Sequence, residues 1–294
     1  MIVDGVFSGG GIKGFAYVGA MQVLEERGIQ FNRLAGTSAG AILATFIAAG
    51  FNAKELEEIF DELNLKVLLD PPKFWIGIPF LKWMNLYVHF GMYRGKSLEK
   101  WFYQKLASKG IYSFGDLPKG KLKLIASDLT NGKIIVLPDD LMHYGINDRT
   151  FPISRALRMS CGLPFFFEPV YLKNGTSESV IVDGGVLSNF PLWVFDNGQK
   201  TRPVLGLKLS SANEEMAPYE IDNAIQLFEA LFATMKNAHD NRYIARRHEK
   251  NIIFIPVEKY SATQFDIDEE TKQKLICIGK ERTAQFLKTW SPIW

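Results

Sequence analysis

The chain has 294 residues, 47% of them hydrophobic, which is ample for a large core in one domain. Its 34 basic and 32 acidic residues leave a formal net charge of +2, with none of the clustered basic character that nucleic-acid binding requires. Two cysteines, Cys161 and Cys277, are too few for a disulfide framework and lack metal-ligand spacing, so they read as small buried hydrophobes.

The N-terminal MIVDGVFSGGG has neither the basic flank nor the long apolar run of a secretory signal. Ile2 to Phe7 reads instead as a strand entering the glycine turn Ser8 to Gly11. From Gly14 to Arg27, Phe15, Val18, Met21 and Leu24 recur at helical spacing, and Gly28 suits the position after a helix end. Phe31 to Gly36 is a second short strand, and Ala39 to Ala49 is a nearly all-apolar helix that demands burial on most sides. Residues 65–93 change character, with a dense run of aromatics and prolines. Strand-like runs return at Lys121 to Ser127, Lys133 to Leu137, Ser179 to Val182, Val204 to Leu209 and Asn251 to Pro256. Helical stretches lie near Ile153 to Ser160, from about Glu220 to His248, and from Asp268 to Trp290, the last with Asp266 and Glu269 at capping-box spacing. Strands alternating with helices predict an α/β protein, a three-layer α/β/α stack around a mainly parallel sheet. No segment offers the ~18 uninterrupted apolar residues of a spanning helix. The expected location is cytoplasmic, with peripheral contact to a membrane surface left open.

Three glycine-rich clusters could carry chemistry. Gly9-Gly10-Gly11-Ile12-Lys13-Gly14 lies between a strand and a helix, where successive N–H groups stabilise negative charge. Its spacing fits a dinucleotide loop, but the acidic residue such a loop needs ~20 positions later is absent, for that region reads Asn32-Arg33-Leu34-Ala35-Gly36. Gly36-Thr37-Ser38-Ala39-Gly40 is a G-x-S-x-G motif on a strand-to-helix turn, a position that exposes a nucleophilic serine. A glycine-bracketed capping serine would give the same pattern. Ser179 to Gly185 is an apolar strand ending in Asp183-Gly184-Gly185, where the carboxylate could serve as a base or merely mark an Asp-Gly turn. The histidines His89, His143, His239 and His248 lack the setting expected of a triad base.

Together these clusters resemble the patatin-like phospholipase family in content, order and spacing. Leu124 to Gly132 is similar to that family's strand and turn before the central helix. Arg155 to Pro164 is similar to its helix and proline-bearing turn, and Asn189 and Pro191 fall where it has an N-x-P. The resemblance covers residues 3–210 of a single domain spanning 1–294, with a cap at 65–93 and a C-terminal helical region at 216–294. It implies a patatin-like fold and a lipid acyl hydrolase of the phospholipase A or lysophospholipase type. Ser38 would be the nucleophile, Asp183 the base, and the N–H groups of Gly9, Gly10, Gly11 and Ala39 the oxyanion hole. Lys13 occupies the basic position of the family's loop and could face substrate or solvent. Met159-Ser160-Cys161 departs from the small-residue run usual there, which could alter a pocket wall.

In residues 65–93, Phe74, Trp75 and Phe80, flanked by Lys73 and Lys82, could form an apolar cap that contacts lipid, or an ordinary buried hairpin. The expected partner is a lipid ester, with no nucleic acid, no cofactor and no metal. A fatty-acid or membrane-binding protein without turnover is the alternative on the same fold.

Overall fold

A computed structural model describes residues 1–62, 68–71, 86–196, 202–210, 250–257, 259–261 and 267–291, with 221–222, 226–227, 230–232 and 234–235. The strands are β1 (Ile2–Phe7), β2 (Gln30–Thr37), β3 (Gly91–Tyr93), β4 (Leu122–Asp128), β5 (Lys133–Leu137), β6 (Phe165–Phe167), β7 (Val170–Asn174), β8 (Ser177–Asp183), β9 (Val204–Lys208) and β10 (Ile252–Phe254). The helices are α1 (Phe15–Glu26), α2 (Ala39–Ala48), α3 (Ala53–Asp61), α4 (Lys96–Ala107), α5 (Ile153–Ser160) and α6 (Glu269–Thr289).

All strands but β3 and β6 join one eight-stranded sheet with helices on both sides. Its half from β10 through β9, β1 and β2 to β4 is parallel, as the alternation of strand and helix requires. Beyond β4 the pairing turns antiparallel, through β5, β8 and the β7–β8 hairpin. Strands β3 and β6 form a separate parallel ribbon. Period-two alternation divides the apolar residues between the sheet's faces. Val3, Phe7, Leu34, Leu124 and Leu207 face the core shared with the helices. Val6, Ala35, Ile125 and Ile252 face a second cluster with Phe190, Leu192 and Phe195. At the N-terminal end of β1, the fully buried Asp4 accepts hydrogen bonds from the Arg33 N–H at 3.1 Å and from its guanidinium Nε at 3.1 Å, which pins β1 to β2.

Three strands contend for β4, and their register determines the site. β5 runs along one edge, pairing residues 124–128. β2 and β8 must therefore share the other edge. β2 arrives parallel and ends with Thr37 opposite Ile125; β8 arrives antiparallel and ends with Asp183 opposite Ala126. The C-termini of these two strands thus meet head to head, opposite consecutive residues of β4.

Several sequence expectations need correction. The capping residue of α6 is Asp268, whose carboxylate accepts from the Thr271 N–H at 2.8 Å, rather than Asp266. Cys277 is exposed on α6, where its thiol donates to Glu281 Oε1 at 3.4 Å; only Cys161 is the buried cysteine expected of both. At the end of the aromatic segment 65–93, Gly91–Tyr93 forms β3, because the chain there pairs with β6. α6 itself lies against α1. A methyl group placed on Gly19 would overlap the Ile276 carbonyl oxygen, and one on Gly279 would overlap that of Ala16. The two helices therefore touch backbone to backbone, a distance only paired glycines permit.

At the end of β4, Asp128 accepts hydrogen bonds from the Tyr144 hydroxyl at 2.7 Å and from Asn131 Nδ2 at 2.7 Å. Burial pushes its carboxyl up, but bonds from Asn131, Tyr144 and Ser179 outweigh that and hold it below the usual carboxylate range.

Two outcomes test this account. Gly19→Ala and Gly279→Ala should each destabilise the protein by about 1–3 kcal/mol through overpacking, measured by urea denaturation. Helix propensity alone predicts the opposite sign, since Ala favours a helix by about 1 kcal/mol over Gly. A carboxyl with a depressed folded value adds stability above its unfolded value of about 3.9, and loses it as pH falls through the folded value. The gap in stability between the wild type and Asp128→Asn should accordingly be full at pH 7 and narrow once pH drops below about 4.

Candidate active site

Ser38 occupies the turn from β2 to α2 with φ 52° and ψ −121°, a left-handed backbone that a residue with a Cβ adopts at a cost of about 1–3 kcal/mol. Close packing enforces it. A methyl on Gly40 would overlap the Phe7 carbonyl, and one on Gly36 would overlap the Gly40 carbonyl, so α2 starts in backbone contact with the ends of β1 and β2. No larger residue at either position would let the helix begin there. Ser38 is half-buried, whereas Thr37 and Ala39 on either side are buried.

The glycine loop lies alongside. A methyl on Gly9 would come within 3.2 Å of Ser38 Cβ. The loop's root is fixed by Ser8, whose N–H donates to Leu207 C=O at 3.1 Å and whose Oγ accepts from Leu209 N–H at 3.0 Å. The Tyr17 hydroxyl donates to Ser8 C=O at 2.6 Å, and burial raises that phenol well above its ordinary value, so it stays a donor. Gly9 N–H donates to Asn189 C=O at 3.0 Å. That bond engages one of the four donors expected of the oxyanion hole. The N–H groups of Gly10, Gly11 and Ala39 have no hydrogen-bond partner among the described residues. Lys13 is half-buried in the 3-10 turn Gly11–Gly14 that follows.

Asp183 is 3% exposed at the end of β8, and its Oδ1 accepts from Gly185 N–H at 2.7 Å. The segment after it is tied to β2, for Thr37 Oγ1 donates to Ser188 C=O at 2.9 Å, and Trp193 Nε1 donates to Ser188 Oγ at 2.9 Å. The register on β4 brings Ser38 and Asp183 together from positions 145 residues apart in sequence.

The residues that link these two come from the Arg155 to Pro164 stretch. Ser38 N–H donates to Ser160 Oγ at 3.1 Å, and Cys161 Sγ donates to Ser38 C=O at 3.4 Å. Asp183 N–H donates to Gly162 C=O at 2.9 Å. Burial, with the Asp183 charge as a second cause, pushes the Cys161 thiol well up, so it remains an S–H donor. Met159, from the same run, is fully buried core. The resemblance at Arg155 to Pro164 marks this stretch in the sequence, but not which of its atoms bond to Ser38 and Asp183.

His89 and His143 are exposed, the latter with Nδ1 3.7 Å from Asp140 Oδ1. His239 and His248 lie outside the described residues, as do Phe74, Trp75 and Phe80 with Lys73 and Lys82. Among the described residues no group of three or more His, Cys, Asp or Glu side chains converges to hold a metal, and no helix is long and apolar enough to cross a membrane.

Residues 5–196 match the family model for patatin-like phospholipase. The chain belongs to the patatin-like phospholipase family. It is 53% identical over 291 residues to the protein YqhO of Bacillus subtilis (strain 168), covering 99% of this chain and 100% of that one. A Mycobacterium tuberculosis NTE family protein, Rv2565, is 28% identical over 189 residues, 63% of this chain but 27% of its own length. Among solved structures, VipD from Legionella pneumophila superposes with a TM-score of 0.58 at 20% identity, over 98% of this chain and 67% of that one. ExoU of Pseudomonas aeruginosa, in its complex with SpcU, gives 0.53 at 20% identity, over 98% of this chain and 51% of that one. These two show a shared fold. Membership of the patatin-like family makes lipid ester hydrolysis the broad activity of the chain.

The strain at Ser38 is measurable. Ser38→Gly removes the Cβ from a left-handed backbone, whereas Ser38→Ala keeps it. The relief, about 1–2 kcal/mol, exceeds the extra unfolded-state entropy of glycine, about 0.4–1 kcal/mol. Ser38→Gly should therefore melt above Ser38→Ala; the reverse order would mean that the turn is not strained.

Proposed function

We propose that this patatin-like protein is a serine lipid acyl hydrolase of the phospholipase A or lysophospholipase type, with Ser38 as nucleophile and Asp183 as its base. The observation that carries the reading is the meeting of β2 and β8 on one edge of β4. It delivers a serine on a strained turn and a buried carboxylate to one place, with glycine-loop N–H groups beside them.

In this mechanism Asp183 takes the Ser38 hydroxyl proton as Oγ attacks the ester carbonyl. The negative charge that forms on the carbonyl oxygen is met by N–H groups of Gly10, Gly11 and Ala39, with the start of α2 adding its positive end. Collapse of the tetrahedral species breaks the ester C–O bond, and the proton held by Asp183 passes to the leaving alcohol. Water then attacks the acyl-Ser38 ester, gives a proton to Asp183, and releases the fatty acid as the proton returns to Ser38 Oγ. Aspartate serves directly, without an intervening histidine; both described histidines are exposed. Removing one oxyanion donor typically costs about 3–4 kcal/mol, so the rigidity of the Tyr17–Ser8 anchor bears directly on rate. Lys13 and the apolar segment holding Phe74, Trp75 and Phe80 are proposed to contact the lipid. A binding protein without turnover would leave the strain at Ser38 with no role.

The test is labelling by a fluorophosphonate probe, with the adduct located by mass spectrometry and fatty-acid release from phospholipid followed in parallel. Wild type should carry the adduct on Ser38, and Ser38→Ala should neither label nor hydrolyse. Asp183→Asn should slow both by about 10²–10⁴-fold, the usual worth of a general base. Undiminished hydrolysis by Ser38→Ala would remove the mechanism.

A further inference from the structure

At the seam on β4, a side chain from α5 reaches a backbone carbonyl of the sheet. Where β2 and β8 end head to head, Ile125 C=O accepts the Ser160 hydroxyl at 2.6 Å. Ser160 is fully buried, and its oxygen also accepts the Ser38 N–H at 3.1 Å. A serine hydroxyl has one proton. With that proton directed to Ile125, the lone pairs are left for Ser38, so the sheet itself sets the polarity of the bond that holds the nucleophile's peptide. The next two residues continue the contact, Cys161 to Ser38 C=O and Gly162 C=O to Asp183 N–H. Three consecutive residues therefore grip the peptide groups on both sides of Ser38 and the backbone of Asp183.

That tripeptide is itself firmly held. Two residues before Ser160, the buried guanidinium of Arg158 donates through Nη2 to Arg94 C=O at 3.0 Å and to Glu168 C=O at 2.5 Å. It also lies 5.0 Å from the Phe167 ring centroid. Burial, with Arg155 nearby, lowers its pKa to about 10, so it stays charged at neutral pH. The β3–β6 ribbon is thus bound to α5 just upstream of the turn.

We propose that Ser160 is a positioning residue for acyl transfer. Its hydroxyl keeps the Ser38 peptide in the left-handed geometry that presents the nucleophile, and with Gly162 it fixes the offset between nucleophile and base. This inference rests on the assignment of Ser38 and Asp183 above. It adds that a residue touching no substrate governs the rate of the chemical step. Because the Ser38 N–H is already engaged by Ser160, the charge on the substrate oxygen falls to the glycine loop and Ala39.

Ser160→Ala and Ser160→Cys should be compared with wild type in the full chain. The readouts are hydrolysis of a soluble ester, p-nitrophenyl butyrate, the rate of fluorophosphonate labelling at Ser38, and thermal melting. Cysteine nearly matches serine in shape but accepts hydrogen bonds weakly, so it carries the measurement should the alanine variant fail to fold. Both variants should lose about 10–100-fold in kcat and in labelling rate, the scale of a misplaced reacting group, with KM within about twofold of wild type. Labelling at Ser38 with unchanged rate and kcat in the folded variants would overturn the role of Ser160 and leave the dyad standing. A wild-type adduct away from Ser38 would instead overturn the dyad, and this inference with it.

Discussion

One edge of β4 cannot hold two strands at the same residues, and the candidate site is arranged around that constraint. β5 fills one side over residues 124–128, so β2 and β8 divide the other, the first ending opposite Ile125 and the second opposite Ala126. Strand ends are where a chain can leave a sheet and present a side chain without breaking ladder hydrogen bonds. Here two such ends face each other, one carrying Ser38 and the other Asp183. The change from parallel to antiparallel pairing at β4 is what makes the approach head to head.

Holding a strained turn at that seam takes support from several directions. Gly36 and Gly40 let α2 begin against the backbone of β1 and β2, and Gly9 lets the loop pass beside Ser38. Tyr17 and Leu209 fix Ser8 from below the loop, while Ser188 and Asn189 tie the segment after Asp183 back to Thr37 and Gly9. The polar atoms involved are mostly backbone groups and short hydroxyls, which have few rotamers to lose. A site assembled this way keeps its geometry before any ester arrives, which is the condition under which fixed dipoles lower a barrier.

Much of this is legible in the sequence because it is local. The apolar run from Ala39, the helical spacing of Phe15 to Leu24 and the strand ending at Asp183 each follow from patterns within about ten residues, and the three glycine clusters mark backbone approaches that only glycine tolerates. Other features are hidden for equally physical reasons. β3 and β6 have three residues each, too short for alternation to register, and they exist because they pair with each other. β7 is absent from the sequence expectations although Val170 and Leu172 alternate with exposed residues before an Asn174-Gly175 turn, a readable hairpin signal. Asp266 and Asp268 both precede α6, and only the observed bond to Thr271 separates them. Ser160 lies in a stretch the sequence singles out, but its contacts to Ile125 and Ser38 do not show there, since they depend on long-range packing.

The glycine crossing of α1 and α6 bears on the order in which the protein is made. α1 follows directly on the glycine loop, yet the helix that covers it comes from residues 269–289. A ribosome adding about 5–20 residues per second delivers the whole family-matched region, residues 5–196, before that cover exists. Until α6 emerges, the face of α1 around Ala16 and Gly19 that it covers stays open to water. The core around α1 is thereby completed late in synthesis, so a nascent or truncated chain carries Ser38 and Asp183 while α1 still lacks its backbone-to-backbone partner.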